Sequence, residues 1–278
     1  MSKQLQALYG LKYNPFSQEI PTSALLPTAP VENFCWRVEN QIGEGGFALV
    51  TGAPGSGKSA AMRLLAERLS ALRDVCIGVL SRPQASVADF YREMGDLFSV
   101  SLTASNRWGG AKALRQKWQA HIDASLYRPV LLIDEAQAMS PAVLCELRLL
   151  TSTELDSRCI LTVVFAGDER LSKKLQSDDL LPLASRIRCR LRCESLQTEQ
   201  LKDSLQHLLK KAGNARLMPA ELIGTLAEHA GGNYRVMMNM ANDLLAEAVR
   251  RETERIDERL FFEVFDITAT KPTPKRRS

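Results

Sequence analysis

One glycine-rich segment carries the residue types needed to bind a chain of phosphates. Gly55 and Gly57 allow the backbone to wrap around phosphate oxygens and to point its N–H groups inward. The Lys58 ammonium can reach the outer phosphates, and the Ser59 hydroxyl can ligate Mg²⁺. We expect Ala60, which opens the next turn, to contact the nucleotide as well. The segment reads Gly52-Ala53-Pro54-Gly55-Ser56-Gly57-Lys58-Ser59.

An acidic pair, Asp134-Glu135, follows a short apolar run and supplies the second half of the predicted chemistry. Asp134 can support Mg²⁺ through water, and Glu135 can orient or deprotonate an attacking water. Phosphoryl transfer needs positioned charge more than covalent chemistry. Lys58, Asp134 and Glu135 are therefore predicted catalytic residues, with Ser59 and Asp134 on the metal. Guanine-specific proteins normally carry Asn-Lys-x-Asp, and this chain has no Asn-Lys dipeptide. We predict ATP and Mg²⁺ as the cofactors.

The elements that must position these groups alternate between strand and helix signals. Such alternation predicts a parallel sheet with helices on both faces. The loop needs a strand before it and a helix after it, because the helix dipole then favours the phosphates. The predicted strands span 47–51, 74–80, 129–134 and 159–166, and the predicted helices begin near 61 and 141 and span 86–98 and 111–125.

The fifth predicted strand, 186–193, alternates arginines with apolar residues. In a strand this pattern places the arginines on one face and an apolar stripe on the other. A central parallel strand would be apolar on both faces, so we expect this strand at the sheet edge. Its arginine face would meet solvent, a neighbouring subunit or a polyanion. The arginines are Arg186, Arg188, Arg190 and Arg192.

After residue 194 the strand signals stop, and three helices are predicted at 198–211, 219–229 and 234–254, with one short element at 256–265. The predicted fold class is α/β, a three-layer αβα P-loop NTPase core with a parallel sheet followed by a small all-helical lid. We expect the domains to be an N-terminal segment packing near the nucleotide site (1–30), the core (31–195), the lid (196–266) and a basic disordered tail (267–278).

Composition and charge add a few exclusions. The 278 residues are 45% hydrophobic and 24% charged, with a net charge of +4, which is too mild to establish a nucleic-acid partner. We expect a cytoplasmic protein without membrane insertion, because no long apolar run and no secretory signal are visible. The six cysteines form no C-x-x-C pair, and the three histidines share no ligand spacing. We therefore expect no metal beyond nucleotide-bound Mg²⁺.

The order of the motifs resembles the AAA+ ATPases. More narrowly, it resembles the ExeA-like branch, which includes transposition regulators of the TnsC, TniB and MuB type. The resemblance covers roughly residues 5–255. It is carried by Gly-Leu-Lys-Tyr-Asn-Pro-Phe at 10–16, Asp-Glu-Ala-Gln at 134–137, Gly-Asp-Glu-Arg-Leu at 167–171 and Gly-Asn-Tyr-Arg at 232–235.

The resemblance implies further roles. Asp168 occupies the sensor-1 position, where the family more often has a neutral amide. Arg186 is the first candidate for an arginine finger that reaches a neighbour's ATP, with Arg188 second. Arg235 matches sensor 2, which couples the nucleotide state to the lid. A finger that acts in trans requires assembly, so the resemblance implies rings or helical filaments of the chain with itself.

The resemblance also implies partners. The first hypothesis is a transposition regulator that assembles with ATP on double-stranded DNA and recruits or stimulates a transposase. Candidate DNA contacts lie on one predicted helix, at Arg107, Lys112, Arg115 and Lys117. The alternative is an ExeA-like secretion or envelope-assembly ATPase, and a replication-loader or signalling ATPase also stays open.

Overall fold

The computed structural model describes residues 2–81, 83, 86–101, 107–125, 128–153 and 158–265. The chain forms two compact units. The core unit is Pro27–Glu194, and the helical unit combines Met1–Leu26 with Ser195–Ser278. The predicted basic tail, 267–278, lies outside the described residues.

The core unit is built on a five-stranded parallel sheet, which confirms the predicted α/β class. The strands are β1 Gly46–Gly52, β2 Val75–Leu80, β3 Arg128–Ile133, β4 Ser152–Thr153, β5 Arg158–Cys159, β6 Thr162–Gly167 and β7 Ile187–Cys193. The strand order in the five-stranded sheet is β2-β3-β6-β1-β7. The two short strands β4 and β5 form a separate antiparallel pair.

One set of helices flanks the sheet of the core unit, and another set forms the helical unit. Those of the core unit are α2 Ala29–Gln41, α3 Lys58–Ser70, α4 Val87–Leu97, α5 Arg107–Ser125, α6 Pro141–Thr151, α7 Glu169–Lys174 and α8 Leu181–Ala184. Those of the helical unit are α1 Ser2–Tyr9, α9 Thr198–Ala212, α10 Ala220–His229, α11 Tyr234–Arg250 and α12 Glu258–Val264. Single 3-10 turns lie at Thr22–Ala24, Ala136–Ala138 and Asp178–Leu180.

The three central strands are buried on both faces because their side chains alternate between two apolar clusters. In β3, Leu131 and Ile133 join one cluster, whereas Val130 and Leu132 join the other. The first cluster includes residues of α4, α5 and α6, and the second includes residues of α2 and α3. A strand covered on both sides must be apolar throughout, which is why these runs read as continuous hydrophobic segments.

The predicted strand at 159–166 is wrong at its beginning. Cys159 pairs with Ser152 in the short β4–β5 ladder, and the Ile160 N–H donates to the Thr151 carbonyl at 2.9 Å. The sheet strand β6 begins only at Thr162. The apolar run is therefore divided between two sheets, which its composition does not reveal.

Strand β7 lies at the sheet edge as predicted, but its apolar residues do not share one face. The pairing with β1 skips Arg188, a β-bulge that reverses the alternation. As a result Ile187 joins the α4–α6 cluster, whereas Cys189 and Leu191 join the α2–α3 cluster. Arg188, Arg190 and Arg192 are exposed.

The helical unit is closed by the N-terminal segment. The Lys12 N–H donates to the Ala212 carbonyl at 2.9 Å, where α9 ends. The Tyr9 hydroxyl donates to the Thr253 carbonyl at 2.7 Å, and the Asn14 amide donates to Asn242 of α11 at 2.8 Å. Residues 1–26 therefore complete the helical unit, and the expected position of residues 1–30 near the nucleotide stays a prediction. None of the described helices combines the length and apolarity that a bilayer crossing requires.

Candidate nucleotide-binding site

The glycine-rich segment connects β1 to α3 and has the backbone shape of an anion-binding loop. Gly55 and Gly57 adopt left-handed conformations, with φ of 81° and 94°. Gly57 precedes α3 and no side chain caps that helix, so its first N–H groups face the loop. A turn of this kind, at the positive end of a helix dipole, favours phosphate.

Lys58 is held inside the loop. Its side chain is 7% exposed, and its Nζ donates to the carbonyls of Gly52 and Ala53 at 3.0 and 2.9 Å. The Ser56 hydroxyl oxygen is buried and has no hydrogen-bond partner among the described residues. The loop thus contains an unpaired polar atom and a cation bonded only to carbonyls, a donor set that fits a triphosphate.

Gly52 has no room for a side chain. A Cβ there would lie 2.4 Å from the Cys193 carbonyl oxygen on β7 and 2.5 Å from the Ser56 Oγ. The first position of the loop is therefore fixed by the close approach of β7 and of the loop itself. This packing explains why glycine is required where β1 ends, although its φ is ordinary.

The parallel register brings the acidic pair to the loop. The carboxyl end of β1 pairs with that of β6, and β6 pairs with β3. The Ser59 Oγ lies 3.5 Å from the Asp134 Oδ2. Hydroxyl and carboxylate oxygens are the ligands that Mg²⁺ prefers, and it usually keeps several waters. These two side chains would hold the metal beside the phosphates, and the bound ion would supply charge stabilisation there.

Glu135 directly follows this pair in an unusual conformation. Its φ and ψ are 52° and 35°, a left-handed geometry that costs a non-glycine residue about 1–2 kcal/mol. Its side chain is exposed and accepts a short hydrogen bond from the Gln137 amide. The carboxylate is thus held at the edge of the sheet, next to the metal-ligand pair.

Asp168 follows β6 and is paired with a cation. Its carboxylate accepts from the Arg170 Nε at 2.9 Å and forms an ion pair with the Arg170 guanidinium at 2.7 Å. It also caps α7 by accepting from the Arg170 N–H. The hydrogen bond from the Arg170 side chain holds the pKa of Asp168 below its ordinary value. Arg170 therefore neutralises the charge of the Asp168 carboxylate. The AAA+ ATPases that the motifs resemble more often have a neutral amide at this position.

Sequence reasoning missed two members of this cluster, Arg170 and Lys174. Lys174 Nζ donates to the carbonyls of Gln137 and Met139, both at 2.6 Å, and so fixes the turn after Glu135. Burial lowers the pKa of Lys174. Both cations lie on α7, one helical turn apart. Their spacing was visible in the sequence, but the partners of Lys174 come from the distant segment after β3.

The two candidate arginine fingers lie beside β7. Arg186 directly precedes the strand and is half-buried, and its N–H donates to the Leu183 carbonyl at 3.0 Å. Arg188 is exposed and forms an ion pair with Glu44. Arg186 stays the first candidate, as the resemblance implies, and Arg188 the second. Both assignments stay predictions.

In the helical unit, backbone conformation and helix capping account for the glycine and the asparagine that precede Arg235. Gly232 has a φ of 82°, and its carbonyl accepts from the Leu196 N–H at 3.0 Å. Asn233 caps α11 by accepting from the Arg235 and Val236 N–H groups at 3.0 and 3.2 Å. Arg235 itself is exposed in the first turn of α11. Its sensor-2 role stays a prediction.

The candidate DNA contacts on α5 are not equivalent. The Arg115 guanidinium donates to the Leu149 carbonyl at 2.8 Å, and the Lys117 ammonium donates to the Ser99 carbonyl at 3.0 Å. Lys112 is exposed, and the side chain of Arg107 lies outside the described residues. Two of the four cations therefore stabilise the core unit, and Lys112 is the most accessible of the three whose side chains are described.

Comparison with known proteins agrees with this geometry. Residues 41–175, which include the loop, the acidic pair and Asp168, match the family model of the AAA domain. The chain is also similar to general secretion pathway protein A of Aeromonas hydrophila, with 30% identity over 216 residues. That similarity, together with the domain match, supports the ExeA-like branch of the AAA+ ATPases.

The alignment covers 76% of this chain but only 39% of the Aeromonas relative. Among solved structures, the chain resembles the Aeropyrum pernix ORC2 protein in its ADP form, with a TM-score of 0.74 and 12% identity over 92% of this chain and 72% of that one. It also resembles the A. pernix ORC1 protein in complex with DNA, with a TM-score of 0.69 and 16% identity over 90% and 67%. These likenesses establish the fold.

The close contact at Gly52 predicts a specific defect in nucleotide binding. Gly52→Ala should displace the loop and weaken binding of a fluorescent ATP analogue by about tenfold or more, equivalent to about 1.4 kcal/mol or more. Gly43→Ala is the matched control, because no atom lies within 4 Å of a Cβ at that position. Equal affinities for the two variants, both folded by thermal melting, would contradict the packing described here.

Proposed function

We propose that this AAA+ chain is a Mg²⁺-dependent ATP hydrolase. The proposal rests on the distance of 3.5 Å between the Ser59 Oγ and the Asp134 Oδ2. Ser59 follows the phosphate-binding loop, and Asp134 directly precedes Glu135. A hydrolase needs a phosphate cradle, a metal site and a group that prepares water. One edge of the sheet brings all three together.

Each residue has a defined task in this proposal. When ATP binds, the Lys58 ammonium donates to phosphate oxygens in place of the carbonyls of Gly52 and Ala53. It then neutralises part of the phosphate charge. Ser59 and Asp134 hold the metal. Glu135 orients the water that attacks the terminal phosphate and accepts its proton, and its exposed carboxylate is open to that water.

We also propose that the chain assembles with itself and that Arg186 completes a neighbour's site. The position of Arg186 at the start of the edge strand supports this, because no strand among the described residues of the core unit lies beyond β7. A finger of this kind can contribute about 10³-fold or more to the rate. The assembly would be a ring or a helical filament, since its interface joins unlike surfaces.

The first candidate for the cellular task is ATP-dependent assembly on double-stranded DNA, to regulate transposition through a transposase. The fold shared with an ORC1 protein solved in complex with DNA supports the DNA partner. Exposed cations at Lys112 on α5 and at Arg190 and Arg192 on β7 supply groups for phosphate contacts. Such contacts are largely independent of base sequence and weaken with salt. The transposase partner rests on the motif resemblance.

The second candidate is an ATPase of a secretion or envelope-assembly system. One observation favours it, the 30% identity to general secretion pathway protein A over most of this chain. A shared ATPase core fits either candidate, so binding experiments must separate them.

The proposal that Arg186 completes the site of a neighbouring subunit is tested by mixing two inactive variants. Arg186→Ala keeps Glu135 but cannot serve its neighbour, and Glu135→Gln keeps Arg186 but cannot prepare water. Arg186→Ala alone should lose about 10³-fold in hydrolysis, and Glu135→Gln alone about 10²-fold or more. At a head-to-tail interface, a one-to-one mixture should recover up to about a quarter of the wild-type rate. Arg188→Ala is the control and should stay active alone. A mixture no faster than the sum of its components would refute the finger in trans.

The DNA candidate is tested by fluorescence anisotropy of a labelled random-sequence duplex, with and without a non-hydrolysable ATP analogue. Binding should require the analogue and weaken steeply between about 50 and 200 mM salt, as phosphate contacts do. Lys58→Met is the matched control, because it should lose the nucleotide and therefore the DNA. Absence of binding in either state would reject the DNA candidate and favour the secretion candidate.

A further inference from the structure

The carboxamide of Gln137 connects two parts of the site that come from different strands. Its Nε2 donates to the Glu135 carboxylate, just after β3. Its Oε1 accepts from the Asp168 N–H, just after β6, at 3.3 Å. Gln137 is only 9% exposed, and both bonds are partly buried. One amide therefore fixes the distance between the acidic carboxylate and the end of the neighbouring strand.

The surroundings are built to hold this amide in place. Gly167 leaves the space that Gln137 occupies, because a Cβ at residue 167 would lie 2.7 Å from the Gln137 Oε1. On the backbone side, the Gln137 carbonyl accepts from Lys174 at 2.6 Å. The Ala138 N–H closes the turn by donating to the Glu135 carbonyl at 2.9 Å. Both the backbone and the side chain of Gln137 are thus anchored.

The hydrogen bond from Gln137 restricts the orientation of the Glu135 side chain. Glu135 is exposed and has a left-handed backbone, so its side chain alone would sample several rotamers. The Gln137 amide takes one carboxylate oxygen and leaves the other open to water. A general base acts efficiently only when it is held within hydrogen-bond reach of its proton.

We propose that Gln137 is a positioning residue for ATP hydrolysis, holding Glu135 in the orientation that prepares water. The inference rests on the proposed hydrolase function. It requires a side chain that donates to Glu135 and accepts from the Asp168 N–H at the same time, which the Gln137 amide does with its nitrogen and its oxygen. Gln137 acts through Glu135 and binds neither nucleotide nor metal.

Two variants test the proposal. Gln137→Met keeps the length of the side chain and removes both bonds, and Gln137→Glu keeps an acceptor for the Asp168 N–H but loses the donor. Both should lower kcat about tenfold or more, the effect of about 1.4 kcal/mol. The KM for ATP and the affinity for a fluorescent analogue should stay within about twofold. Gln119→Met is the matched control, because it removes a similar amide bond to Asp123 on α5.

The readout that separates positioning from a general structural role is a double-mutant cycle with Glu135→Gln. Single-turnover release of labelled phosphate is followed over hours in both backgrounds. If Gln137 acts through Glu135, Gln137→Met should add no loss once Glu135 is replaced. The same fold loss in both backgrounds, or a wild-type kcat for Gln137→Met, would overturn the proposal. A wild-type protein that does not hydrolyse Mg-ATP would instead reject the proposed hydrolase function itself.

Discussion

The parallel register of β1, β6 and β3 is the constraint on which the site depends. Since parallel strands end at the same edge, the loop after β1, the acidic pair after β3 and Asp168 after β6 must meet there. The register holds because each of these strands is apolar on both faces and is clamped between two buried clusters. A slip of one residue would move every side chain of the strand to the opposite cluster, where it would meet different neighbours.

At this edge the polar groups restrain one another before any ligand arrives. Lys58 is held by loop carbonyls, Asp168 by Arg170, and Glu135 by Gln137. Such internal partners fix side chains that would otherwise cost conformational entropy to order on binding. The same bonds leave open the groups that a nucleotide needs, namely the N–H groups at the start of α3 and one oxygen of Glu135. The site is preorganised, which is the arrangement that favours electrostatic catalysis.

Much of this was predictable from local sequence. The loop, the acidic pair and the central strands each have a signal within about ten residues, because glycines, carboxylates and apolar runs report local geometry. The signal failed where geometry depends on distant partners. The bulge at Arg188 and the diversion of Cys159 into a separate ladder arise from pairing across the chain. The bond between Gln137 and Asp168 joins residues 31 positions apart, so the motif around Gln137 indicated a family but not a role.

We propose that Glu135 prepares water at a site where Ser59, Asp134 and the loop bind Mg-ATP. The most direct test is phosphate release at saturating Mg-ATP by the wild type and by Glu135→Gln, with nucleotide affinity measured on the same samples. We expect unchanged affinity and a loss of turnover of about 10²-fold or more in Glu135→Gln, typical of removing a general base. Unchanged turnover in Glu135→Gln would contradict it.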